Sequence, residues 1–331
     1  MRDGPLKALA ILRKAEEFLS GVTLAGALGV SRAQVHNYVK SLRKEGYEIP
    51  GDAGTGYCLS SVPDRLFPQE ILHGLKTRWL AQSYRHFEEV ESTNNEAFKW
   101  AEEGAPHGAT ITAEAQTAGR GRRGRSFFSP PRSNLYTSIV LRTSMQAQHL
   151  PTLMLSAGVA VADAINEVLK DSKRIGIKWP NDVLIDGLKV SGILPESKVD
   201  DNQVSFIVLG IGVNLNTPRE DMPKDFRDLA TSLCSSFNRP IDRIAFTQTL
   251  YFHLENVIEQ HLAEGFSAIR SDYERYFHMN GKDVQISDFD GSLDRGKVQG
   301  IADSGALLIT TSTGETKTFF AGDVTLRPPG R

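Results

Sequence analysis

Four arginines and three glycines fill positions 119–125, GRGRRGR, in a chain whose formal net charge is only -2. Guanidinium forks suit phosphate or carboxylate, and glycine lets a backbone come close to a ligand. Composition alone leaves two readings open: a solvated basic loop, or a turn whose amides and guanidinium groups close around an anion. No G-x-x-x-x-G-K-[ST] occurs, so this is not a Walker loop. An arginine-rich RNA-binding tract would run longer, and here ITAEAQ and FFSP flank the loop closely. A second stretch, KWPND at 178–182, sets a lysine at the end of the apolar strand RIGI, followed by two oxygen-bearing side chains. An Asn-Asp turn explains Asn181 and Asp182, but Lys178 entering a core needs an anionic partner. Third, STNNEAF opens a helix in which Thr93 and Glu96 have capping-box spacing. Ser92, Thr93 and Asn94 therefore either start that helix or bind a ligand there. GIGVNL after FIVL begins like a dinucleotide fingerprint, but Leu215 stands where the third glycine belongs, and a Rossmann reading fails.

The elements that must hold these residues predict an α+β multidomain chain of 331 residues. Residues 5–44 carry apolar side chains at helical spacing in three short runs. The third opens at Ser31 with Gln34 at capping-box spacing; Val35, Tyr38, Val39 and Leu42 face inward, and Arg32, His36, Asn37 and Lys40 face outward without an acid among them. YEIPGDAGTGYCLS then predicts a hairpin wing, and helix, turn, helix, wing is a DNA-binding order. Pro63 and Pro68 bracket a linker, after which strands and long helices alternate to about residue 275. From about Gly281, short strands with regularly spaced glycines predict a small β-barrel. The expected domains are residues 1–62, a winged helix-turn-helix; 63–276, the catalytic α+β domain; and 277–331, the barrel. Hydrophobic content of 40% with 24% charge excludes the disordered and fibrous classes. Cys58 and Cys234 form neither a disulfide framework nor a zinc motif, which fits a reducing, cytoplasmic setting. The N-terminus is broken by charge, and no run approaching the ~20 apolar residues of a bilayer span is expected, so no membrane association is expected.

Taken in order, ESTN, Q-T-A-GRGRRGR-S-F-F-S-P, KWPND, K-V-S-G-I-L and GIGVNLN resemble the biotin protein ligases over about residues 85–328. With the winged helix in front, the chain resembles their bifunctional form, both ligase and repressor of the biotin operon. The resemblance implies a catalytic core of the biotin/lipoate ligase type, related to class II synthetases, with ATP and magnesium as cofactors and biotin as substrate. Biotin would be joined to the AMP part of ATP and then passed to a lysine of a carrier domain. Arg120, Gly121 and Arg122 match the loop that contacts biotin and the adenylate. Lys178 matches the lysine that meets the biotin carboxylate and the α-phosphate, which makes Arg120 and Lys178 the expected catalytic pair. Ser92, Thr93, Asn94 and Gln116 match contacts to the neutral ureido ring. Arg122, Arg123, Arg125, Asn181, Asp182 and Asn214 fall on the nucleotide side, with Asp182 next to magnesium.

For DNA, the resemblance places Arg32, Gln34, His36 and Asn37 at base edges, with Lys40, Arg43 and Lys44 toward phosphates. Operator DNA, a biotin carrier domain and a homodimer favoured by bound adenylate are the implied partners. A biotin-sensing regulator without ligase activity is the alternative, against which the intact arginine loop and Lys178 argue; a lipoate-type acyl ligase is a third. Two departures stand out: Phe127 replaces the usual tryptophan after the loop, and Pro195 replaces a β-branched residue in GIL-x-E. With no tryptophan after Asn216 to stack on adenine, Phe226 is the aromatic candidate.

Overall fold

Three short helices form where the apolar spacing predicts them: α1 (Asp3–Lys14), α2 (Gly21–Leu28) and α3 (Arg32–Lys44). In this computed structural model, which describes residues 3–52, 54–143, 145–200, 203–287 and 292–326, they belong to the first of two units, Met1–Arg65 and Leu66–Arg331. Ser20 caps α2 through the Thr23 amide at 3.0 Å, and Ser31 caps α3 through the Gln34 amide at 3.2 Å. Leu9, Leu12, Leu24, Val35, Val39 and Leu42 meet in the core of this unit, each contributing ~1.5–3 kcal/mol on burial. The wing follows as β1 (Gly51–Asp52) paired with β2 (Gly56–Tyr57). Arg43, expected at phosphates, instead donates from Nε to Ile49 O at 2.9 Å and from Nη2 to Gly51 O at 2.6 Å. Its guanidinium ties α3 to the wing.

The second unit begins with α4 (Pro68–Ile71) and is built on a seven-stranded sheet. Its strands are β3 (Tyr84–Phe87), β4 (Thr110–Ala113), β5 (Leu135–Leu141), β6 (Ile175–Lys178), β7 (Asp182–Ile185), β8 (Leu188–Asp200) and β9 (Gln203–Val213). The order is β3-β4-β5-β9-β8-β7-β6, with only the β3–β4 pair parallel. Alternate residues serve opposite faces. Ile139, Leu209 and Ile211 join the cluster with α6 (Leu150–Leu169) and α9 (Arg243–Glu264), whereas Val140 and Val208 pack with Ala97 and Ala101 of α5 (Thr93–Glu102).

Contrary to the expected absence of long apolar runs, the segment Ala147–Leu169 that contains α6 is long and apolar enough to span a bilayer; it is nonetheless 72% buried and serves as the core helix. Behind the sheet, Arg243 and Glu114 form an ion pair at 2.8 Å with side chains 0% and 1% exposed. Burial works to raise the Glu114 pKa, but Arg243 and the Leu66 amide hold it below the usual value.

Helices α7 (Lys224–Arg227), α8 (Leu233–Phe237) and α10 (Arg270–Tyr276) complete the helical part. The C-terminal segment is an antiparallel sheet of β10 (Asp283–Ser287), β11 (Leu293–Ile301), β12 (Leu307–Thr311), β13 (Thr316–Phe319) and β14 (Asp323–Leu326), in the order β13-β12-β11-β10-β14. Among the described residues its edge strands β13 and β14 do not pair, so the ladder is open where a closed small barrel was expected. Its apolar face, including Val284, Ile286, Val298 and Ile309, joins the same core as the central sheet.

Candidate functional site

Three glycines make the floor of a small pocket. Gly192 of β8 lies opposite Gly212 of β9, and Gly210 lies opposite Leu194. A Cβ on Gly210 would stand 2.1 Å from Asn94 Oδ1, and one on Gly212 would stand 2.6 Å from the Phe127 ring. The pocket has a volume of about 40 Å³, and Ser92, Thr93, Asn94 and Gln116 line one side of it. Ser92 is the N-cap of α5 but makes no side-chain cap bond. The capping box suggested by Thr93 and Glu96 is not the role of Thr93: its amide and hydroxyl both donate to Gln116 Oε1, at 2.9 and 3.1 Å. Ser138 Oγ donates to Asn94 Oδ1 at 2.6 Å and lies 2.8 Å from Thr93 Oγ1. These four side chains offer neutral donors and acceptors on a rigid frame.

Gln116 also anchors the arginine loop. Its amide donates to Ser129 O at 3.3 Å and its Nε2 to Ser129 Oγ at 2.9 Å, while Phe127 N donates to Gly119 O at 2.8 Å. Within this closed base, Gly121 N reaches Arg125 O at 2.7 Å and Arg123 takes a φ of 57°. The four guanidinium groups then diverge. Arg120 turns to the small pocket and donates to Asn95 Oδ1 and Glu196 Oε2 at 2.6 and 3.0 Å. Arg122 reaches Asn181 Oδ1 at 3.4 Å and Gly322 O at 3.3 Å. Arg123 and Arg125 both pair with Asp323 at the start of β14.

Next to the small pocket lies a cavity of about 670 Å³, bordered by Arg122, Lys178, Asn181, Asp182, Lys189 and Asn214. Burial lowers the Lys178 pKa, opposed by Asp182, and burial likewise lowers that of Arg122. Burial outweighs the nearby carboxylates at both cations, a cost that a bound phosphate would offset. Asn181 donates from Nδ2 to Ile193 O at 3.1 Å, and Asn214 from Nδ2 to Thr231 O at 3.1 Å. Phe226, 36% exposed, stands on the far wall with Met222 and Leu229. Lys189 was not singled out from the sequence, although its signal sat inside K-V-S-G-I-L: a lysine in an apolar strand, the same oddity that marked Lys178. It borders both the pocket and the cavity, with Nζ 2.6 Å from Asp182 Oδ1.

Neutral groups at one end and cations at the other suit a molecule with a neutral polar ring and a carboxylate tail that meets a phosphate. In the first unit, Arg32, His36, Asn37 and Lys40 are exposed on α3 and Gln34 is half-buried. His36 Nδ1 lies 3.3 Å from Tyr57 Oη of β2.

Comparison with known proteins agrees with this division. Residues 86–214 match the biotin/lipoate A/B protein ligase family, residues 6–58 an HTH domain, and residues 281–327 the biotin protein ligase C-terminal domain. The chain is 36% identical to the bifunctional ligase/repressor BirA of Bacillus subtilis over 94% of both chains. It is 30% identical to that of Escherichia coli over 99% of both. The solved biotin protein ligase from Aquifex aeolicus in complex with biotin and ATP aligns with 74% of this chain and 99% of its own, at 27% identity and a TM-score of 0.64. On sequence and fold together, the chain belongs to the biotin protein ligase family, among its bifunctional ligase/repressors.

Proposed function

We propose that this protein activates biotin with ATP, transfers it to a lysine of a biotin carrier domain such as that of acetyl-CoA carboxylase, and represses biotin-biosynthesis genes through its N-terminal unit. The observation that carries the reading is Lys189, a cation at the junction of a neutral polar pocket and a cation-lined cavity. The ureido ring belongs with Ser92, Thr93, Asn94 and Gln116, under Arg120 and Gly121. The ATP phosphates belong with Arg122, Lys178 and Lys189, with Asn181 and Asn214 nearby and Phe226 offered to adenine. A biotin carboxylate oxygen attacks the α-phosphorus, the new P–O bond forms as the bond to pyrophosphate breaks, and the cations offset the charge on the equatorial oxygens. The carrier amine then attacks the acyl carbon, an amide forms, and AMP leaves.

Among the described residues no three metal-ligating side chains converge. Asp182, a carboxylate bordering the cavity, fits the single carboxylate that a phosphate-bound magnesium ion uses, its other ligands being phosphate and water. When bound, that ion would neutralise phosphate charge.

The division of labour follows residues 1–62 for DNA, 63–276 for ligation and 277–331 for cover of the nucleotide side, all in the cytoplasm. Arg32, Gln34, His36 and Asn37 are offered to base edges and Lys40 to phosphate. A lone winged helix holds a duplex poorly, so a homodimer reading a two-fold operator belongs with this reading. Deletion of residues 1–62 tests the split: operator binding is lost and carrier labelling kept, whereas operator affinity that survives the deletion refutes it.

A further inference from the structure

Glu196, the glutamate of GIL-x-E, was given no role from the sequence and has no place in the chemistry above. It stands on β8 where the small pocket meets the arginine loop. Its Oε2 accepts from Asn94 Nδ2 at 2.6 Å and from Arg120 Nη2 at 3.0 Å. Asn94 is otherwise held by Ser138, which donates to its Oδ1 at 2.6 Å, and by Leu194 O, 3.3 Å from Nδ2. Gly210 leaves room for that amide, since a Cβ there would lie 2.1 Å from Oδ1. Only the short contact to Glu196 fixes the amide from the loop side. Arg120, with its side chain 44% exposed, depends on Glu196 and Asn95 for its direction across the pocket rim.

We propose that Glu196 is a positioning residue of the ligase reaction: one carboxylate oxygen orients Asn94 toward the biotin ring and draws Arg120 over it, so that ring binding and closure of the arginine loop are a single event. The proposal rests on the ligase reading. A carboxylate bonded to a guanidinium and a side-chain amide uses charge-assisted bonds, stronger than neutral ones. Loss of both leaves Asn94 Nδ2 with only a long bond to Leu194 O and frees Arg120.

The test compares wild type, Glu196→Ala and Glu196→Gln in carrier labelling, in adenylate escape during a single turnover, and in equilibrium dialysis of labelled biotin. Glu196→Ala raises the KM and the dialysis Kd for biotin about tenfold, the scale of one lost polar contact, with the KM for ATP within twofold of wild type. Glu196→Gln keeps an acceptor for Asn94 but no charge for Arg120, so biotin Kd rises less than threefold while adenylate escapes at least threefold faster. Biotin binding within twofold of wild type in Glu196→Ala, or a parallel rise in the KM for ATP, overturns the proposal. So does unchanged adenylate escape in Glu196→Gln, which decides the matter if thermal melting shows Glu196→Ala unfolded. Wild type that binds biotin but never labels the carrier refutes the ligase reading instead, and the dialysis comparison still decides the role of Glu196.

Discussion

Glutamine at position 189 removes the one cation that borders both the small pocket and the large cavity among their lining residues. An ammonium ~4 Å from a phosphoryl charge at an effective dielectric of ~20 contributes about 4 kcal/mol. At 1.36 kcal/mol per tenfold, that is about 10³ in rate. The ion pair with Asp182 at 2.6 Å, with the Lys189 side chain 33% exposed, reduces the field that reaches the substrate. The expected loss for Lys189→Gln is therefore about 10²–10³ in the first half-reaction. Lys178 borders the same cavity and is more deeply buried beside Asp182, and Lys178→Gln should cost a comparable factor. Biotin-dependent exchange of labelled pyrophosphate into ATP reads this step without the carrier. Lys189→Gln also weakens the partner of a buried carboxylate, so about 1–3 kcal/mol of stability should go with it, and a urea midpoint must accompany the rates. Exchange within tenfold of wild type in Lys189→Gln refutes the assignment.

Gly212→Ala puts a methyl 2.6 Å from the Phe127 ring and narrows the pocket floor; biotin KM should rise at least about tenfold while ATP KM moves little, as steady-state labelling would show. Arg243→Met strands a carboxylate that is 1% exposed, and a loss of about 3–5 kcal/mol is expected in urea unfolding, largely recovered by adding Glu114→Gln. His261, 4% exposed and 2.8 Å from Ser156, has its pKa lowered to about 4, by burial first and by His149 second. Because the unfolded imidazole takes up a proton near 6.5 and the folded one does not, stability falls as pH drops from 6.5 through 4, by about 2 kcal/mol at pH 4.5. His261→Gln should flatten that part of the stability profile, and an unchanged slope would count against a neutral, buried His261.

Much of the site was legible because its residues cluster in short stretches whose types are costly without a ligand. A lysine at the end of an apolar strand and four arginines within seven positions carry their signal locally. Glu196 was given no role because it acquires one from register, which sets it beside Asn94, 102 residues away in sequence, and Lys189, odd by itself in an apolar strand, gains its partner Asp182 the same way. The partner of Arg123 and Arg125 is Asp323, which no local pattern announces. At α5 the capping-box spacing misled, because Gln116 offers Thr93 a better-placed acceptor than the helix start does. The glycine spacing after residue 281 predicted strands correctly, but whether β13 meets β14 depends on twist and loop length that spacing does not encode.

The most direct test of the account mixes the purified full chain with ATP, magnesium, labelled biotin and a biotin carrier domain. One biotin should be joined in amide linkage to a carrier lysine, with AMP and pyrophosphate released in equal amounts. Tight binding of biotin without label on the carrier would contradict it and leave a biotin-sensing regulator in its place.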